Sequence, residues 1–205
     1  MQFRVSGKWA LAAAVITLLS ACTVVDLDSS GKPVIPADPN AAPSFVQQTP
    51  QQVAESLWSA RLLPAAEQQA LAWPALLAKR DGLTGADSIS VFGRFNGTVA
   101  SVDNDGRERK MRLTVNGEEV VIQLGPIVKG NALRDAAGFI RFEDFKNQVQ
   151  FAQAARALNK KALEQMPPID ASWQGKEVAV LAAFTLRAQT LGEAVPLKIS
   201  EEARP

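Results

Sequence analysis

The chain has no histidine and only one cysteine, Cys22. Without histidine, the sequence excludes Ser-His-Asp triads, histidine-ligated zinc and the imidazole proton shuttle. A single cysteine cannot form a disulfide within the chain, and once it is modified no thiol is left as a nucleophile. We therefore expect no catalytic residue, no metal site and no cofactor, and a function that depends on binding.

An excess of charge of one sign is also missing, since 22 Lys and Arg residues face 21 Asp and Glu residues. Arg4 and Lys8 belong to the leader predicted below, and without them the balance is 20 basic against 21 acidic residues. Proteins that bind nucleic acids need a basic surface to replace the counterions of the phosphate backbone. The near-neutral balance therefore argues against a nucleic-acid partner.

The first 22 residues have the three-part layout of a bacterial lipoprotein signal. A short positive region precedes an apolar run at residues 9–19, which is too short to span a bilayer as a mature helix. The tetrapeptide LSAC that ends at Cys22 resembles the lipobox, in which cleavage occurs before a lipid-carrying cysteine. We predict a signal peptide over residues 1–21. We also predict a diacylglyceryl group and an amide-linked acyl chain such as palmitate on Cys22, which together anchor a protein stably.

The expected location is the periplasmic face of the bacterial envelope. Thr23 follows the cysteine, where aspartate would resemble an inner-membrane retention signal, so the outer membrane is slightly favoured over the inner. Residues 22–48 are rich in Pro, Ser, Asp and Ala and cannot bury enough apolar surface to fold. We predict a flexible tether with a root-mean-square span of about 25 Å. One folded domain is expected to follow over residues 49–205.

Two amphipathic helices are predicted as a hairpin over residues 49–80. Thr49 is a typical N-cap and is followed by proline, which fits the first helical position. Pro74 is expected to kink or end the second helix. Trp58 and Trp73 stand at helical spacing among apolar residues, where buried core positions are commoner than platforms for stacking a ligand.

Three strands joined by two tight turns are predicted between residues 88 and 124. Apolar residues alternate through the first strand, and Gly93 and Gly97 would let that strand bend as a small closed barrel requires. Asp105-Gly106 and Asn116-Gly117 are favoured hairpin turns. The three strands should therefore form a meander.

A long helix is predicted over residues 142–166, followed by two strands at residues 178–186 and 195–199. Three strands, a helix and two strands is the order of the five-stranded OB barrel, whose helix lies between its third and fourth strands. We expect an α+β fold, with an OB-like five-stranded β-barrel over residues 88–200. The two-helix extension would precede this barrel.

The stretch GPIVKGNALRD at residues 125–135 has the glycine spacing of a phosphate-binding loop. A nucleotide loop needs Lys and then Ser or Thr directly after the second glycine, and Asn131 and Ala132 occupy those positions. The glycines would instead let backbone amides approach a partner closely. Arg134 and Asp135 would either anchor an anionic or sugar ligand or form a structural ion pair that ties the loop to the barrel.

Asn147 and Gln148 lie in the aromatic stretch FEDFKNQVQF and are a second candidate pair. Buried amides usually satisfy backbone groups, and contact with a ligand is the alternative. The residues that we predict to bind a ligand or partner are Gly125, Pro126, Lys129, Gly130, Asn131, Arg134, Asp135, Asn147 and Gln148.

Three segments together resemble one family: QLGPIVKGNALRD at residues 123–135, FIRFEDFKNQVQFA at 139–152 and ALN at 157–159. It is the uncharacterised family of predicted periplasmic lipoproteins, a domain of unknown function, and the similarity runs from about Val53 to Phe184. Members of this family are often encoded beside ribose-type sugar ABC transporters. The resemblance therefore implies a role in carbohydrate uptake and supplies no catalytic residue.

We expect a lipid-anchored periplasmic binding or accessory protein, without catalytic activity, that is associated with carbohydrate ABC-type uptake. Its expected partners are the membrane, through the N-terminal lipid, and a saccharide or a component of a sugar ABC transporter. Two alternatives stay open. One is an envelope scaffold without a small-molecule ligand, and the other is a carboxylate-based carbohydrate-active enzyme. The enzyme would need two acidic residues facing one cleft, for which Asp135, Glu143 and Asp144 are the candidates.

The lipobox makes a prediction that can be checked on the intact protein. Changing Cys22→Ser removes the thiol that accepts the diacylglyceryl group, so we expect the precursor to stay uncleaved and without lipid. Mass spectrometry of the membrane fraction should find the wild-type chain shortened by residues 1–21 and heavier at Cys22 by its acyl chains. A wild-type precursor that keeps residues 1–21 and a free thiol would contradict the assignment.

Overall fold

The computed structural model describes residues 44–202. The predicted signal peptide, Cys22 and the predicted tether up to residue 43 lie outside these residues. The tether prediction extends too far at its C-terminal end, because Phe45 is already buried and its ring centroid lies 5.1 Å from that of Phe145. Between residues 44 and 202, no helix has the length and apolar character needed to cross a bilayer.

Three short helices begin the folded region. Their bounds are Pro50–Leu57 for α1, Leu63–Gln69 for α2 and Trp73–Asp81 for α3, with a π-helical segment at Trp58–Leu62 between the first two. Thr49 caps α1 as predicted, because its side chain accepts a hydrogen bond from the Gln52 N–H and the Gln52 side chain accepts one from the Thr49 N–H. The prediction for Pro74 is wrong. α2 ends earlier, at Gln69, and Pro74 lies in the first turn of α3, where its missing N–H has no partner to lose.

Five strands form the barrel. They are β1 (Ser88–Asp103), β2 (Glu108–Val115), β3 (Glu118–Pro126), β4 (Glu177–Arg187) and β5 (Val195–Glu201). β1 pairs with both β2 and β4, β2 pairs with β3, and β4 pairs with β5, all in antiparallel fashion. Two-residue strands at Leu71–Ala72 and Thr190–Leu191 pair with β1 and β4, respectively.

The barrel comes close to closing between β3 and β5. Ile122 and Ala194 form a parallel bridge, in which the Gln123 N–H donates to the Ala194 carbonyl at 2.9 Å and the Ala194 N–H donates to the Val121 carbonyl at 2.8 Å. The longest helix, α5 (Gln148–Glu164), lies between β3 and β4 in the chain. This strand order and helix position confirm the predicted α+β class and the OB-like five-stranded barrel.

Apolar side chains fill both faces of the sheet. The interior cluster includes Phe95, Met111, Leu113, Ile122 and Phe184. The outer cluster joins Phe92, Leu181 and Leu197 of the strands to Leu133 and Leu158 of the helices. Because β4 is covered on both faces, it reads as an almost continuous apolar run in the sequence. Trp58 is buried in the outer cluster and Trp73 in the interior one, which confirms that both are core residues.

The two predicted hairpin turns differ in the structure. Asn116-Gly117 forms the predicted two-residue turn, with φ angles of 50° and 88°. The prediction of a tight turn at Asp105-Gly106 is wrong, because four residues separate Asp103 from Glu108. The Asp103 side chain accepts a hydrogen bond of 3.0 Å from the Asp105 N–H, so it completes this longer loop.

Along β5, the buried side chains do not alternate regularly between the two faces of the sheet. A register shift interrupts the pairing of β4 with β5 where Pro196 lies opposite Ala182. Val195 and Leu197 therefore join the outer cluster, whereas Ile199 joins the interior cluster. An irregularity of this kind is one of the few places in a sheet where proline fits.

The helix predicted over residues 142–166 is shorter than expected. Asn147 caps α5, since its Oδ1 accepts a hydrogen bond of 2.9 Å from the Gln150 N–H. Phe142 and Val149, which both lie within the predicted helix, are 51% and 64% exposed. The remaining short elements are α4 (Ala132–Ala136) and the 3₁₀ turns Phe142–Asp144 and Ala171–Trp173.

Gly93 and Gly97 face the barrel interior, where neighbouring atoms already occupy the space that a side chain would need. A Cβ at Gly97 would lie 2.8 Å from Val115 Cγ2 and 3.0 Å from the Thr114 carbonyl oxygen. A Cβ at Gly93 would overlap the Leu76 side chain. Glycine is therefore required at these two positions for close packing, as well as for the bending of β1 that the sequence predicts.

We expect Gly97→Ala to lower the free energy of unfolding by about 1–3 kcal/mol, because the added methyl group overpacks the interior beside a backbone oxygen. Gly82→Ala is the matched control, since a Cβ there would meet nothing closer than 3.5 Å. The control should be neutral or stabilising by up to about 1 kcal/mol. Urea denaturation of the two variants measures the difference, and equal midpoints would contradict the packing explanation.

Candidate functional site

The structure divides the nine predicted binding residues between two places along α5. Gly125 and Pro126 end β3, and Lys129, Gly130 and Asn131 lie in the loop after it, which contacts the second half of α5 at Asn159. Arg134, Asp135, Asn147 and Gln148 lie around the first turns of α5, where Arg134 contacts Phe151. Phe151 and Asn159 are about 12 Å apart along the helix. The predicted residues therefore do not form one continuous site.

The backbone of the loop after β3 depends on its two glycines. Gly125 has a φ of 72°, its carbonyl accepts a hydrogen bond of 3.0 Å from Arg109 Nε, and the Leu163 side chain occupies the place of a Cβ. Gly130 has a φ of 87°, and its carbonyl accepts a hydrogen bond of 3.1 Å from Asn159 Nδ2. No atom lies within 4 Å of a Cβ built at Gly130, so only Gly130 leaves backbone open to a partner.

Gln123, which the sequence prediction missed, holds this loop in place. Its side chain is buried, accepts a hydrogen bond of 2.7 Å from the Lys129 N–H and donates one of 3.1 Å to the Lys129 carbonyl. The same amide nitrogen lies 3.4 Å from the carbonyl of Glu193, in the connection between β4 and β5. The only signal in the sequence is one uncharged polar residue within the apolar part of β3.

Three connections meet at this edge of the barrel. The Ile127 N–H donates to the Arg107 carbonyl at 2.8 Å, which joins the loop after β3 to the β1–β2 loop. Gln123 joins the same loop to the β4–β5 connection. Lys129 Nζ lies 2.7 Å from Glu108 Oε2, and this hydrogen bond lowers the pKa of Glu108 and raises the pKa of Lys129. The loop after β3 therefore lies beside both the β1–β2 loop and the β4–β5 connection.

A groove of about 330 Å³ separates the loop after β3 from α5, and we call it the α5 groove. Its lining residues are Pro126, Ile127, Val128, Arg156, Asn159 and Lys160. Asn159 is only 3% exposed, and within residues 44–202 its Oδ1 has no hydrogen-bond partner. A buried, unpaired acceptor is energetically unfavourable, so this oxygen is an unsatisfied polar atom beside the α5 groove.

Two positive charges lie beside Asn159. Arg156 and Lys160 are exposed residues one turn apart on α5, and Lys160 Nζ lies 3.8 Å from Glu164 Oε1. In the part of the chain that the structure describes, the Arg156 guanidinium makes no ion pair. The sequence prediction missed all three residues, although Asn159 belongs to the ALN segment that carries the family resemblance.

Arg134 is engaged by the protein itself. It is 7% exposed, its Nε donates to Asp135 Oδ1 at 2.7 Å, and its Nη1 donates to the Phe151 carbonyl at 3.3 Å. The guanidinium carbon lies 3.7 Å from the centroid of the Phe151 ring. These contacts favour a structural role for the pair, but they tie the connecting segment to α5 and not, as the structural alternative has it, to the barrel.

Asn147 and Gln148 differ in what they contact. The Asn147 side chain caps α5, and Gln148 is exposed on its first turn. The amide that satisfies neighbouring backbone is instead Gln150, whose Nε2 donates to the Phe45 carbonyl at 2.8 Å and to the Gln48 carbonyl at 2.9 Å. The amide of this segment with the most backbone contacts is therefore one that the sequence prediction did not name.

The candidate acidic residues of the enzyme alternative are each paired with a neighbour. Asp135 accepts from Arg134, Asp144 is buried and accepts from the Arg141 N–H at 3.3 Å, and Glu143 lies 3.8 Å from Arg141. Over residues 44–202, no three acidic, cysteine or histidine side chains cluster as a metal ion would require.

Comparison with known proteins gives the following relationships. The family model described as "Predicted periplasmic lipoprotein (DUF2291)" matches residues 12–200. Among solved structures, the chain is similar to an OB-fold protein from Thermotoga maritima, with 20% identity, a TM-score of 0.49 and coverage of 75% of this chain and 98% of that chain. No curated protein matches this chain.

The contacts of Arg134 predict a loss of stability when it is removed. We expect Arg134→Ala to lower the free energy of unfolding by about 2–4 kcal/mol, because a buried ring contact and two hydrogen bonds disappear together. Arg156→Ala removes the same side chain from an exposed position and should change stability by less than about 0.5 kcal/mol. Chemical denaturation compares the two, and an Arg134→Ala protein as stable as the wild type would contradict the structural role.

Proposed function

The chain belongs to the family of predicted periplasmic lipoproteins, and on that premise we propose that it is a non-catalytic binding protein that serves ABC-type carbohydrate uptake. It is a periplasmic, lipid-anchored protein. The proposed ligand is a saccharide with an acidic group, and the proposed partner is a component of the transporter. The observation that carries the proposal is the α5 groove with the unpaired Oδ1 of Asn159.

The side chains of the α5 groove suit three parts of such a ligand. Arg156 and Lys160 offer positive charge to a carboxylate or phosphate group. Asn159 Oδ1 can only accept a hydrogen bond, so its complement is a hydroxyl group. Ile127 and Val128 offer apolar surface to the carbon face of a sugar ring. A sugar acid or a sugar phosphate combines these features, and the volume of the groove suits a small ligand.

The carboxyl groups support a binding role over the enzyme alternative. A glycosidase needs a general acid whose pKa is raised, facing a second carboxylate across a cleft. The carboxyl groups with a shifted pKa in residues 44–202 are Glu67, Glu108 and Asp170, and hydrogen bonds from Lys198, Lys129 and Ser172 lower all three pKa values. Each of these exposed carboxyl groups accepts a hydrogen bond from another side chain of the protein.

The choice of membrane affects which transporter component is a plausible partner. We propose the outer membrane for the anchor, which the sequence slightly favours because Thr23 rather than aspartate follows Cys22. An anchor there would bring the soluble binding protein of the transporter, rather than its permease, within reach of a tether of about 25 Å. Capture of envelope proteins with the lipidated chain tests this, since enrichment of the permease alone would contradict the outer-membrane placement.

A panel of sugars tests the proposed ligand. We expect uronic acids or sugar phosphates, and not the matching neutral sugars, to raise the unfolding temperature. The rise should be about 5–10 °C at a concentration of 100 times Kd, since ligand that binds only the folded state stabilises it by mass action. Differential scanning calorimetry of the full chain measures the shift.

Variants of the α5 groove give the control for that experiment. Arg156→Ala removes a charge-assisted hydrogen bond and should weaken binding by about 10–100-fold, and Asn159→Ala should also weaken it. Lys146→Ala removes an exposed charge outside the groove and should leave binding unchanged. If no acidic sugar shifts the wild-type melting curve, or if Lys146→Ala weakens binding as much as Arg156→Ala, the proposed site is wrong.

A further inference from the structure

The exposed large apolar side chains are unevenly distributed over the described surface. Between residues 44 and 202, four are exposed: Val46 at 37%, Ile127 at 39%, Phe142 at 51% and Val149 at 64%. Ile127 lines the α5 groove, whereas Val46, Phe142 and Val149 all lie around the start of α5. We call these three residues the tether patch. Apolar side chains that are exposed singly need no explanation, but a cluster of them marks an interaction surface.

Contacts with the first turns of α5 place Val46 and Phe142 at the end of the helix that carries Val149. Gln150, which directly follows Val149, has its Nε2 atom 3.5 Å from the Val46 carbonyl. The Phe142 ring packs edge-on against Phe151 of the same helix, with 5.6 Å between ring centroids. Val46 and Phe142 are therefore neighbours of the helical turn that carries Val149.

The same place is where the chain joins the folded region. The buried Phe45 donates its N–H to the Asp144 carbonyl at 2.8 Å, and its own carbonyl accepts a hydrogen bond from Gln150 Nε2. The Phe45 and Phe145 rings are in contact. The polypeptide that connects to Cys22 therefore starts from a fixed point beside the tether patch.

From these observations we propose that the tether patch lies against the lipid bilayer that holds Cys22. Residues 22–43 connect the lipid to this point, and the span predicted for the tether is about 25 Å. Side chains such as phenylalanine and valine insert at the boundary between headgroups and acyl chains. The proposal depends on the lipid anchor and not on the proposed sugar ligand.

The charges beside the tether patch indicate how it would bind. Arg141 lies 3.8 Å from Glu143 and 3.6 Å from Asp144, so its charge is balanced, and Lys146 adds one positive charge. A surface with so little net charge gains little from anionic headgroups. Burial of apolar side chains should therefore dominate the contact, which should change little with ionic strength.

The single cysteine makes a direct test possible. In the lipidated chain Cys22 carries the anchor, so Val149→Cys introduces the only free thiol, which accepts a nitrobenzoxadiazole label. On vesicles of phosphatidylethanolamine and phosphatidylglycerol, we expect blue-shifted emission and at least about twofold quenching by nitroxide-labelled lipids. The same label on a Glu119→Cys chain, at an exposed position of β3, should show the emission of a label in water and little quenching by the nitroxide lipids.

Matched substitutions decide whether lipid or another protein contacts the tether patch. Adding Phe142→Ser to the Val149→Cys chain should return the label to water, whereas adding Ile127→Ser, the exposed apolar residue outside the patch, should not. Thermal unfolding checks that both chains are folded. The proposal is overturned if the label at position 149 reports water on vesicles. It is also overturned if the blue shift requires added envelope proteins, which would make the patch a protein contact.

Discussion

The apolar outer face of the barrel is the constraint on which the rest of this structure depends. Phe92, Leu181 and Leu197 point away from the barrel interior, so they would face water if no helix covered them. Leu158 of α5 packs into this cluster with residues of α1 and α2. The packing fixes α5 across the strands, and the α5 groove lies along its second half while the tether patch lies at its start.

Side-chain amides complete the irregular segments around that helix. Gln123 binds the loop after β3, Gln150 binds the backbone at Phe45, and Asn159 binds Gly130. Irregular backbone has unpaired N–H and C=O groups, and an amide can satisfy them because it both donates and accepts. Asn159 keeps one unpaired oxygen after this role. The internal hydrogen bonds of the loop therefore do not use this oxygen.

The parts of the fold that follow from local rules could be predicted. Strand alternation, the Asn116-Gly117 turn and the Thr49 cap depend on residues close in the sequence, so the strand order and the OB-like class followed from them. The start of α5 could not be read in the same way. Apolar residues at helical spacing from Phe142 predict an earlier start. The helix begins only after Asn147, because the Asn147 side chain accepts a hydrogen bond from the Gln150 N–H and caps it.

In the candidate site, too, some features follow from local sequence and others depend on tertiary packing. The sequence alone determined the class of protein, through its lipobox, and it located two glycines whose backbone has positive φ. Only the tertiary structure decided that Arg134 is committed to Phe151, that Arg156 and Asn159 line the α5 groove, and that Phe142 is exposed. The reason is physical: composition and turn chemistry are properties of neighbours in the chain, whereas burial and the pairing of a polar group depend on which distant segments pack against it.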